Sequence, residues 1–219
     1  VDVLVAAGAM AAVAAAREGA RTAVVDRFGY LGGNMGPGMF SGGVVHLALG
    51  HPFAQLERLK GVPGEFVDRC EGYADHLLGR DYFRDHQVVS YVWSRMMREN
   101  NVHTMLNTWA GDPILEGDTV KGLFVENRSG MQAVSAKVTI DATGNADVAW
   151  RAGAEVFDGE RYVHPGMFFA IGNVDTEKYL AWRETVAVSE EDVAWAKDVE
   201  RRLGSWGAGG LRPFFGLYR

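Results

Sequence analysis

The chain has 219 residues, of which 47% are hydrophobic and 23% are charged, so it can bury a substantial core in one domain or two. Its formal net charge of −6 and its lack of a run of lysine and arginine argue against a nucleic-acid partner. No apolar stretch reaches the ~18 residues of a membrane span, and the opening residues lack the basic flank and cleavage site of a signal peptide, which predicts a cytoplasmic protein without membrane contact.

The opening stretch VDVLVAAGAMAAVAAAREGARTAVVDR predicts a strand, a helix and a second strand. Residues 1–6 are almost continuously apolar and rich in valine, which is typical of a buried parallel strand. The alanines of residues 8–18 favour a helix, which Gly19 can end in the left-handed conformation. Residues 21–26 give the second strand. Such closely spaced elements require a parallel pair joined by a right-handed crossover.

The middle of the chain predicts a loop-rich segment followed by helices. Residues 29–50 are rich in glycine, and because each glycine costs conformational entropy, this composition indicates close approach to a ligand. A helix is expected within residues 53–70, and residues 71–86 have the composition of an exposed connection. Residues 88–101 carry apolar side chains at helical spacing, which predicts an amphipathic helix.

The second half of the chain predicts mainly strands. One strand is expected at 102–106, and residues 113–127 alternate around a Gly-Asp turn. Residues 131–140 are expected to form the third strand of this antiparallel group and to run into DATGNAD. Beyond them, 164–175 predicts a strand and 190–203 a surface helix. The whole order predicts an α/β protein with a Rossmann-like parallel sheet, an antiparallel β-meander and part of a second domain.

Three stretches of the sequence resemble the FAD-dependent oxidoreductases that have a two-dinucleotide-binding-domain fold. They are the opening that ends in VVDR, the segment RFGYLGGNM that follows it, and AKVTIDATGNADVAWRAGAEV at 136–156. The amphipathic helix and the meander lie between them in the family's order. The resemblance implies noncovalently bound FAD, hydride transfer to or from the flavin, and a small organic substrate.

The resemblance also implies a set of cofactor-binding residues. Gly8 corresponds to the third glycine of the family's fingerprint, and Asp26, 18 residues later, to the acid that accepts hydrogen bonds from the adenosine ribose and disfavours a 2′-phosphate. The alternative for Asp26 is a solvated acid at a strand end. The full set is Gly8, Asp26, Arg27, Gly32, Gly33, Asn34, Met35, Trp109, Ala110, Ala142, Thr143, Gly144 and Asp147.

Each group in this set has an implied position in the family. Gly32 and Gly33 lie where the backbone passes the pyrophosphate and the ribityl chain; the alternative is that they are plain turn glycines. The backbone at Trp109 and Ala110 corresponds to the part that meets the adenine. The stretch from Asp141 to Gly144 matches the family's Ala-Thr-Gly segment near the cofactor, with Asp147 close behind it.

The opening departs from the family pattern at the glycine loop. The family has GGGPAG or GxGxxG between strand and helix, whereas only Ala6, Ala7 and Gly8 stand there in this chain. Inserting Gly-Gly-Gly-Pro between Ala6 and Ala7 restores the pattern. Either the protein lacks these residues, in which case its affinity for FAD is poor, or the sequence above omits residues that the protein has.

The pattern assigns no catalytic residue. His46, His51 and His164 are candidates for a proton donor or a substrate ligand, although a lone histidine among glycines is more often a polar loop residue. No metal motif, P-loop or nucleophile elbow occurs. The one cysteine, Cys70, excludes an internal disulfide and is interpreted as a packing residue.

The expected domain organisation is discontinuous. Residues 1–50 and 88–150 are expected to form the FAD-binding domain, 51–87 a helical and loop insertion, and 151–219 the start of a substrate domain. The family's C-terminal return to the first sheet has no counterpart, so we expect a part of a longer polypeptide. Two alternatives remain at this point: a noncatalytic relic or interaction subunit, and an NAD(P)-dependent dehydrogenase, which would leave the meander and DATG unexplained.

Overall fold

The computed structural model describes residues 1–33, 60–77, 86–157 and 173–185, together with residues 190 and 194. The chain divides into two compact units, Val1–Asp158 and Gly159–Arg219. In its described residues the first unit has these elements in chain order: β1 Val3–Ala6, α1 Ala9–Arg17, β2 Thr22–Val25, α2 Gly61–Leu77, α3 His86–Glu99, β3 His103–Met105, β4 Trp109–Glu116, β5 Thr119–Asn127, β6 Gly130–Ser135, β7 Val138–Asp141 and α4 Asp147–Arg151.

The strands of the first unit form two sheets. The first sheet has the order β3-β2-β1-β7, and every neighbouring pair in it is parallel. The second sheet is an antiparallel meander of β4, β5 and β6. The α/β fold with a parallel sheet and a β-meander, predicted from the sequence, is thereby confirmed.

The opening β1-α1-β2 unit forms as the sequence predicts. Alanines fill α1, which has no β-branched residue except Val13 and therefore loses little side-chain entropy on forming. Gly19 follows the helix with φ of 87°, and its N–H donates to the carbonyl of Ala16 at 3.0 Å. Because this conformation is energetically unfavourable for residues with a Cβ, Gly19 ends the helix with little strain and turns the chain into β2.

The two faces of the parallel sheet are covered by different layers. Val5 of β1 and Val24 of β2 pack in the cluster that contains α1, α2 and α3. Leu4 and Val25 pack in the second cluster, which contains Leu123 of the meander. Since successive side chains of a strand point to opposite faces, strands covered on both sides must be apolar throughout, as β1 and β2 are. The parallel sheet is therefore the middle layer of three.

The helical layer is held by an aromatic pair and an ionic chain. Phe66 of α2 and Trp93 of α3 stack with ring centroids 4.1 Å apart, and both side chains are buried. The buried face of α3 has the helical spacing expected from the sequence and consists of Val88, Val89, Val92, Trp93, Met96 and Met97. The amphipathic helix is thus confirmed.

The ionic chain joins α1, α2 and α3 at their surface. Glu65 accepts from Arg17 at 2.6 Å and pairs with Arg69 at 2.7 Å. Glu99 pairs with Arg69 and, at 3.1 Å, with Arg95. The hydrogen bond from Arg17 is the main factor that lowers the pKa of Glu65, against the effect of burial. Partly exposed pairs of this kind contribute about 0–1 kcal/mol each, so the apolar cluster beneath them dominates stability.

Two sequence expectations are wrong in the described residues. Residues 131–140 do not form one strand: β6 ends at Ser135 in the meander, and β7 begins at Val138 in the parallel sheet. The turn between the sheets contains buried Ala136 and exposed Lys137. Residues 71–77 are not an exposed connection, because α2 continues to Leu77; residues 78–85 lie outside the described residues.

The second unit contributes one described helix, α5, which spans Thr176–Thr185. The sequence did not predict it, although Asp175 accepts a hydrogen bond from the N–H of Lys178 at 3.0 Å and so caps its first turn. The strand expected at 164–175 lies outside the described residues up to 172, and residues 173–175 are irregular. Of the helix expected at 190–203, only residues 190 and 194 are described.

Replacing Trp93 with alanine tests the helical layer. Trp93→Ala removes the stacking partner of Phe66 and leaves a cavity, so we expect the free energy of unfolding to fall by about 3–5 kcal/mol. The measurement is denaturant unfolding followed by circular dichroism. Ser94→Ala, at the exposed neighbouring position, is the control and should change stability by less than about 0.5 kcal/mol. A loss below about 1 kcal/mol for Trp93→Ala would contradict the packing described.

Candidate cofactor site

The carboxyl ends of the four parallel strands lie at one edge of the sheet. The residues that follow them are Ala7 after β1, Asp26 after β2, Leu106 after β3 and Ala142 after β7. The chain passes from β1 to β2 and β3 on one side and returns to β7 on the other side of β1, so the strand order reverses at β1. In open α/β sheets ligands bind in the crevice at such a point. This edge is the candidate site.

The connection from β1 to α1 consists of only two residues, Ala7 and Gly8. Ala7 has φ of 67°, in the left-handed region that an alanine rarely adopts, and its N–H donates to the carbonyl of Val25 at 2.8 Å. The strand thus enters the helix directly, and the backbone strain of the short connection is located at Ala7.

Gly8 occupies a position with no room for a side chain. A Cβ atom placed on it would lie 2.8 Å from the Cβ of Ala142 and 2.9 Å from Cγ1 of Val5. Its φ is −103°, so the requirement for glycine is one of space rather than of backbone conformation. Close packing of the first helix on the sheet is also the role of the third glycine in a dinucleotide fingerprint.

The N-terminus of α1 offers uncapped backbone donors. The first intrahelical bond runs from the N–H of Ala12 to the carbonyl of Gly8 at 3.0 Å. The amides of Ala9, Met10 and Ala11 precede it, no side chain caps them, and the first turn contains no acidic residue. Free amides together with the positive end of the helix dipole favour an anion such as a phosphate group.

Asp26 is a buried acid at the end of β2, with 3% of its surface exposed. Its Oδ1 accepts a hydrogen bond from the N–H of Phe28 at 3.0 Å, which is the one side-chain hydrogen bond that Asp26 makes within the described part of the chain. Burial raises the pKa of the Asp26 carboxyl, against the opposing effects of this bond and of the Arg27 charge. Because Asp26 accepts one such bond in the described residues, its carboxylate keeps acceptor capacity for hydroxyl donors.

Backbone hydrogen bonds tie Asp26 to the chain that leaves β3. The N–H of Asp26 donates to the carbonyl of Met105, and the N–H of Thr108 donates to the carbonyl of Asp26, each at 2.9 Å. The N–H of Asn107 donates to the carbonyl of Phe28 at 2.9 Å, and Asn107 has φ of 49°. The sequence reasoning missed Asn107 and Thr108; asparagine's tolerance of positive φ was the available signal.

Arg27 and Trp109 are brought together beside Asp26. The guanidinium carbon of Arg27 lies 4.7 Å from the ring centroid of Phe28 and 5.6 Å from that of Trp109, within the range of cation–π attraction. Trp109 begins β4 and remains 59% exposed. Ala110 follows it and pairs with Val125 of β5.

The chain beyond β7 is organised by the carboxylate of Asp141. Its Oδ1 accepts from the N–H of Thr143 at 3.0 Å and from the Thr143 hydroxyl at 2.8 Å. Its Oδ2 accepts from the N–H groups of Val148 and Ala149 at 2.9 and 2.8 Å. Burial would raise the pKa of Asp141, but these four hydrogen bonds outweigh it and lower the pKa below its ordinary value.

The glycines after β2 have the backbone conformation that the residue type favours. Gly32 and Gly33 have φ of 104° and 51°, and nothing in the described residues would lie within 4 Å of a Cβ placed on Gly33. Leu31, directly before them, is buried in the same cluster as Ala9 and Val13 of α1. The segment is therefore anchored on α1. Asn34, Met35, His46, His51 and His164 lie outside the described residues.

Among the described residues, the structure brings most of the predicted cofactor residues to one edge in two groups. One group lies around α1 and β7, where Gly8 packs against Ala142 and the Thr143 hydroxyl accepts from the N–H of Asp147 at 3.0 Å. The other contains Asp26, Arg27, Trp109 and Ala110 at β2 and β3. Because β1 lies between β2 and β7, the groups are about 10 Å apart at two strand spacings.

The model of the family described as FAD dependent oxidoreductase matches residues 2–214. The chain belongs to this family. FAD is accordingly the cofactor, as the sequence predicted. No curated protein matches the sequence significantly.

Several solved structures resemble this member of the family. THI4 of Thermovibrio ammonificans is 18% identical with a TM-score of 0.42, over 70% of this chain and 63% of that one. A flavoprotein/dehydrogenase of Cytophaga hutchinsonii is 15% identical with a TM-score of 0.45, over 74% and 44%. A flavocytochrome c3 fumarate reductase is 18% identical with a TM-score of 0.43, over 64% and 33%. This chain thus spans less than two thirds of each, and scores this low carry no further conclusion.

The described residues also bear on metal binding and on membrane insertion. They contain no group of three or more histidine, cysteine or acidic side chains placed to hold a metal ion. Within the same residues, no helix combines the length and the apolar character needed to cross a bilayer. The cytoplasmic location stays a prediction.

The contact between Gly8 and Ala142 can be tested by substitution. Gly8→Ala places a Cβ against Ala142 and Val5, so we expect the free energy of unfolding to fall by about 1–3 kcal/mol through overpacking. Chemical denaturation of the protein without FAD measures this loss.

Ala7→Gly is the matched control at the neighbouring position. It relieves the positive φ of Ala7 while adding no atoms, so we expect stability to be unchanged or increased. Equal losses in Gly8→Ala and Ala7→Gly would contradict the spatial role of Gly8.

Proposed function

We propose that this chain binds FAD at the carboxyl edge of its parallel sheet and that the protein oxidises or reduces a small organic substrate by hydride transfer with the flavin. Membership of the family supports the dependence on FAD. The observation that supports this location best is the buried, sparsely hydrogen-bonded carboxylate of Asp26 beside an uncapped helix N-terminus.

Asp26 is proposed to accept hydrogen bonds from the hydroxyl groups of the adenosine ribose. An ionised carboxylate only accepts hydrogen bonds, and such bonds are stronger than neutral ones when water is largely excluded. The same negative charge would repel a 2′-phosphate. A carboxylate at this position therefore favours FAD over a phosphorylated dinucleotide.

The diphosphate is proposed to lie at the N-terminus of α1, where amides and the helix dipole favour negative charge. Gly8 would allow that helix end to lie close to the sheet edge. The remaining positions proposed to contact FAD are Arg27, Gly32, Gly33, Asn34, Met35, Trp109, Ala110, Ala142, Thr143, Gly144 and Asp147.

The short β1-α1 connection is the feature that fits FAD least well. Ala7 and Gly8 supply fewer amides than a full glycine loop, and Ala7 already donates its N–H to Val25. We expect this chain to hold the diphosphate less tightly than a variant with Gly-Gly-Gly-Pro inserted between Ala6 and Ala7. The same feature favours the second candidate, a noncatalytic subunit that keeps the scaffold.

The protein and the cofactor would divide the chemistry between them. Bound FAD supplies the two-electron centre for hydride transfer, which no side chain can provide. The described residues would contribute binding, orientation and exclusion of water.

The domain assignment remains part of the proposal: an FAD-binding domain at 1–50 and 88–150, an insertion at 51–87 and a substrate domain from 151. In the structure, α2 shares one core cluster with α1 and α3.

Titration with FAD tests the proposal directly. Quenching of flavin fluorescence should give saturable binding to the purified chain, and the Gly-Gly-Gly-Pro insertion should tighten it. Failure of both the unchanged chain and the insertion variant to bind FAD would overturn the cofactor assignment for this chain and support the noncatalytic subunit. Binding by the insertion variant alone would show that the two-residue connection between β1 and α1 is too short to hold FAD.

Asp26→Asn should separate stability from binding. Because burial raises the pKa of Asp26, its ionised form opposes folding above that pKa, and we expect the asparagine variant without FAD to be no less stable at pH 7. Its Kd for FAD should increase about tenfold or more, since hydrogen bonds to a charged group contribute about 1.5–3 kcal/mol. Asp118→Asn, at an exposed turn, is the control.

The same residue predicts a pH dependence of binding. FAD affinity should fall as the pH drops through the pKa of Asp26, which burial raises from 3.8, because the protonated acid accepts hydrogen bonds poorly. Asp26→Asn should lack this acid limb. Parallel pH profiles in the wild type and the variant would rule out Asp26 as the ribose ligand.

A further inference from the structure

We propose that Asp141 and Thr143 are positioning residues, which hold the loop at the end of β7 so that its backbone, through the amide of Gly144 rather than the Thr143 hydroxyl, meets the cofactor. The inference rests on the proposed binding of FAD at this edge. It assigns different tasks to the two acids that stand at the ends of β2 and β7.

The carboxylate of Asp141 is saturated with hydrogen bonds. Both of its carboxylate oxygens accept two hydrogen bonds, from Thr143 on one side and from Val148 and Ala149 on the other. Asp26, at the same edge, accepts one side-chain hydrogen bond within the described residues. Asp141 therefore has little acceptor capacity left for a ligand, whereas Asp26 has most of its own.

The hydroxyl of Thr143 both donates and accepts a hydrogen bond within the loop. It donates its single proton to Oδ1 of Asp141 and accepts the N–H of Asp147. A hydroxyl has one proton, so Thr143 has none to give to a phosphate oxygen. Its side chain instead joins the strand end to the first turn of α4.

Two contacts of Ala142 connect this loop to β1 and to the start of α1. The N–H of Ala142 donates to the carbonyl of Ala6 at 3.0 Å, and the Cβ of Ala142 fills the space that Gly8 leaves free. Gly144 and Ala146 both have positive φ, at 90° and 57°, so the loop makes two left-handed turns. Asp141 bridges the loop from Thr143 to Ala149, so its carboxylate holds those turns in place.

Charge supports the same assignment. The hydrogen bonds to Asp141 outweigh its burial and lower its pKa, so the group remains ionised at mildly acid pH. The loop should therefore keep its position in the pH range where Asp26 becomes protonated. A loss of FAD affinity from protonation of Asp141 should occur at lower pH than that from Asp26.

The test compares Thr143→Val and Thr143→Ser in the full chain. Valine keeps the shape of threonine without the hydroxyl, and serine keeps the hydroxyl. We expect Thr143→Val to raise the Kd for FAD more than tenfold and to change the visible circular dichroism of bound flavin. Thr143→Ser should restore the Kd to within about threefold and restore the spectrum. Asp141→Asn should resemble Thr143→Val and lose hydrogen-exchange protection at the amides of Val148 and Ala149.

Thr139→Val is the matched control on the same strand. The Thr139 hydroxyl is buried and has no hydrogen-bond partner in the described structure, so its removal should leave both the Kd and the spectrum unchanged. Binding of FAD by Thr143→Val at wild-type affinity, or failure of Thr143→Ser to rescue, would overturn the inference alone. Failure of the wild type to bind FAD would instead overturn the proposed function and the inference with it.

Discussion

The parallel pairing of β1 with β2 on one side and β7 on the other is the constraint on which the candidate site depends. Ala6 is level with Val25 in one register and with Asp141 in the other, so the three strands end together. Loops from distant parts of the sequence therefore meet at one edge. Helices cover one face of the sheet and the meander covers the other, so the strand ends are the part of the sheet left open to a ligand.

Two acids at this edge show how environment decides the task of a residue. Asp26 and Asp141 each lie at the end of a parallel strand, yet burial raises the pKa of Asp26 while hydrogen bonds lower that of Asp141. The difference arises from the chain that follows. After Asp141, the first turn of α4 returns its amides to the carboxylate, whereas in the described residues the chain after Asp26 returns one amide and leaves the other oxygen without a bond.

The elements with strong periodicity could be predicted from the sequence. The β1-α1-β2 unit, the amphipathic α3 and the meander all follow from local patterns of apolar residues. The change of sheet at Ala136 could not be predicted, because the apolar alternation continues through it. The two bonds that Asp141 accepts from Val148 and Ala149 also depend on α4 folding back, which no local pattern encodes. For Gly8, the resemblance supplied the position, but only the packing against Ala142 gives the physical reason.

The short connection at Ala7 shifts the demand for phosphate contacts to other parts of the edge. With two residues between β1 and α1, the amides that could face a diphosphate come from the first turn of the helix. Among the described residues, the backbone near Gly33 and Gly144 could supply further donors for the proposed diphosphate, because both glycines have positive φ and open space where a Cβ would stand. The carboxylate of Asp141, which holds the loop that contains Gly144, therefore matters most for the proposed binding in a chain whose own glycine loop is short.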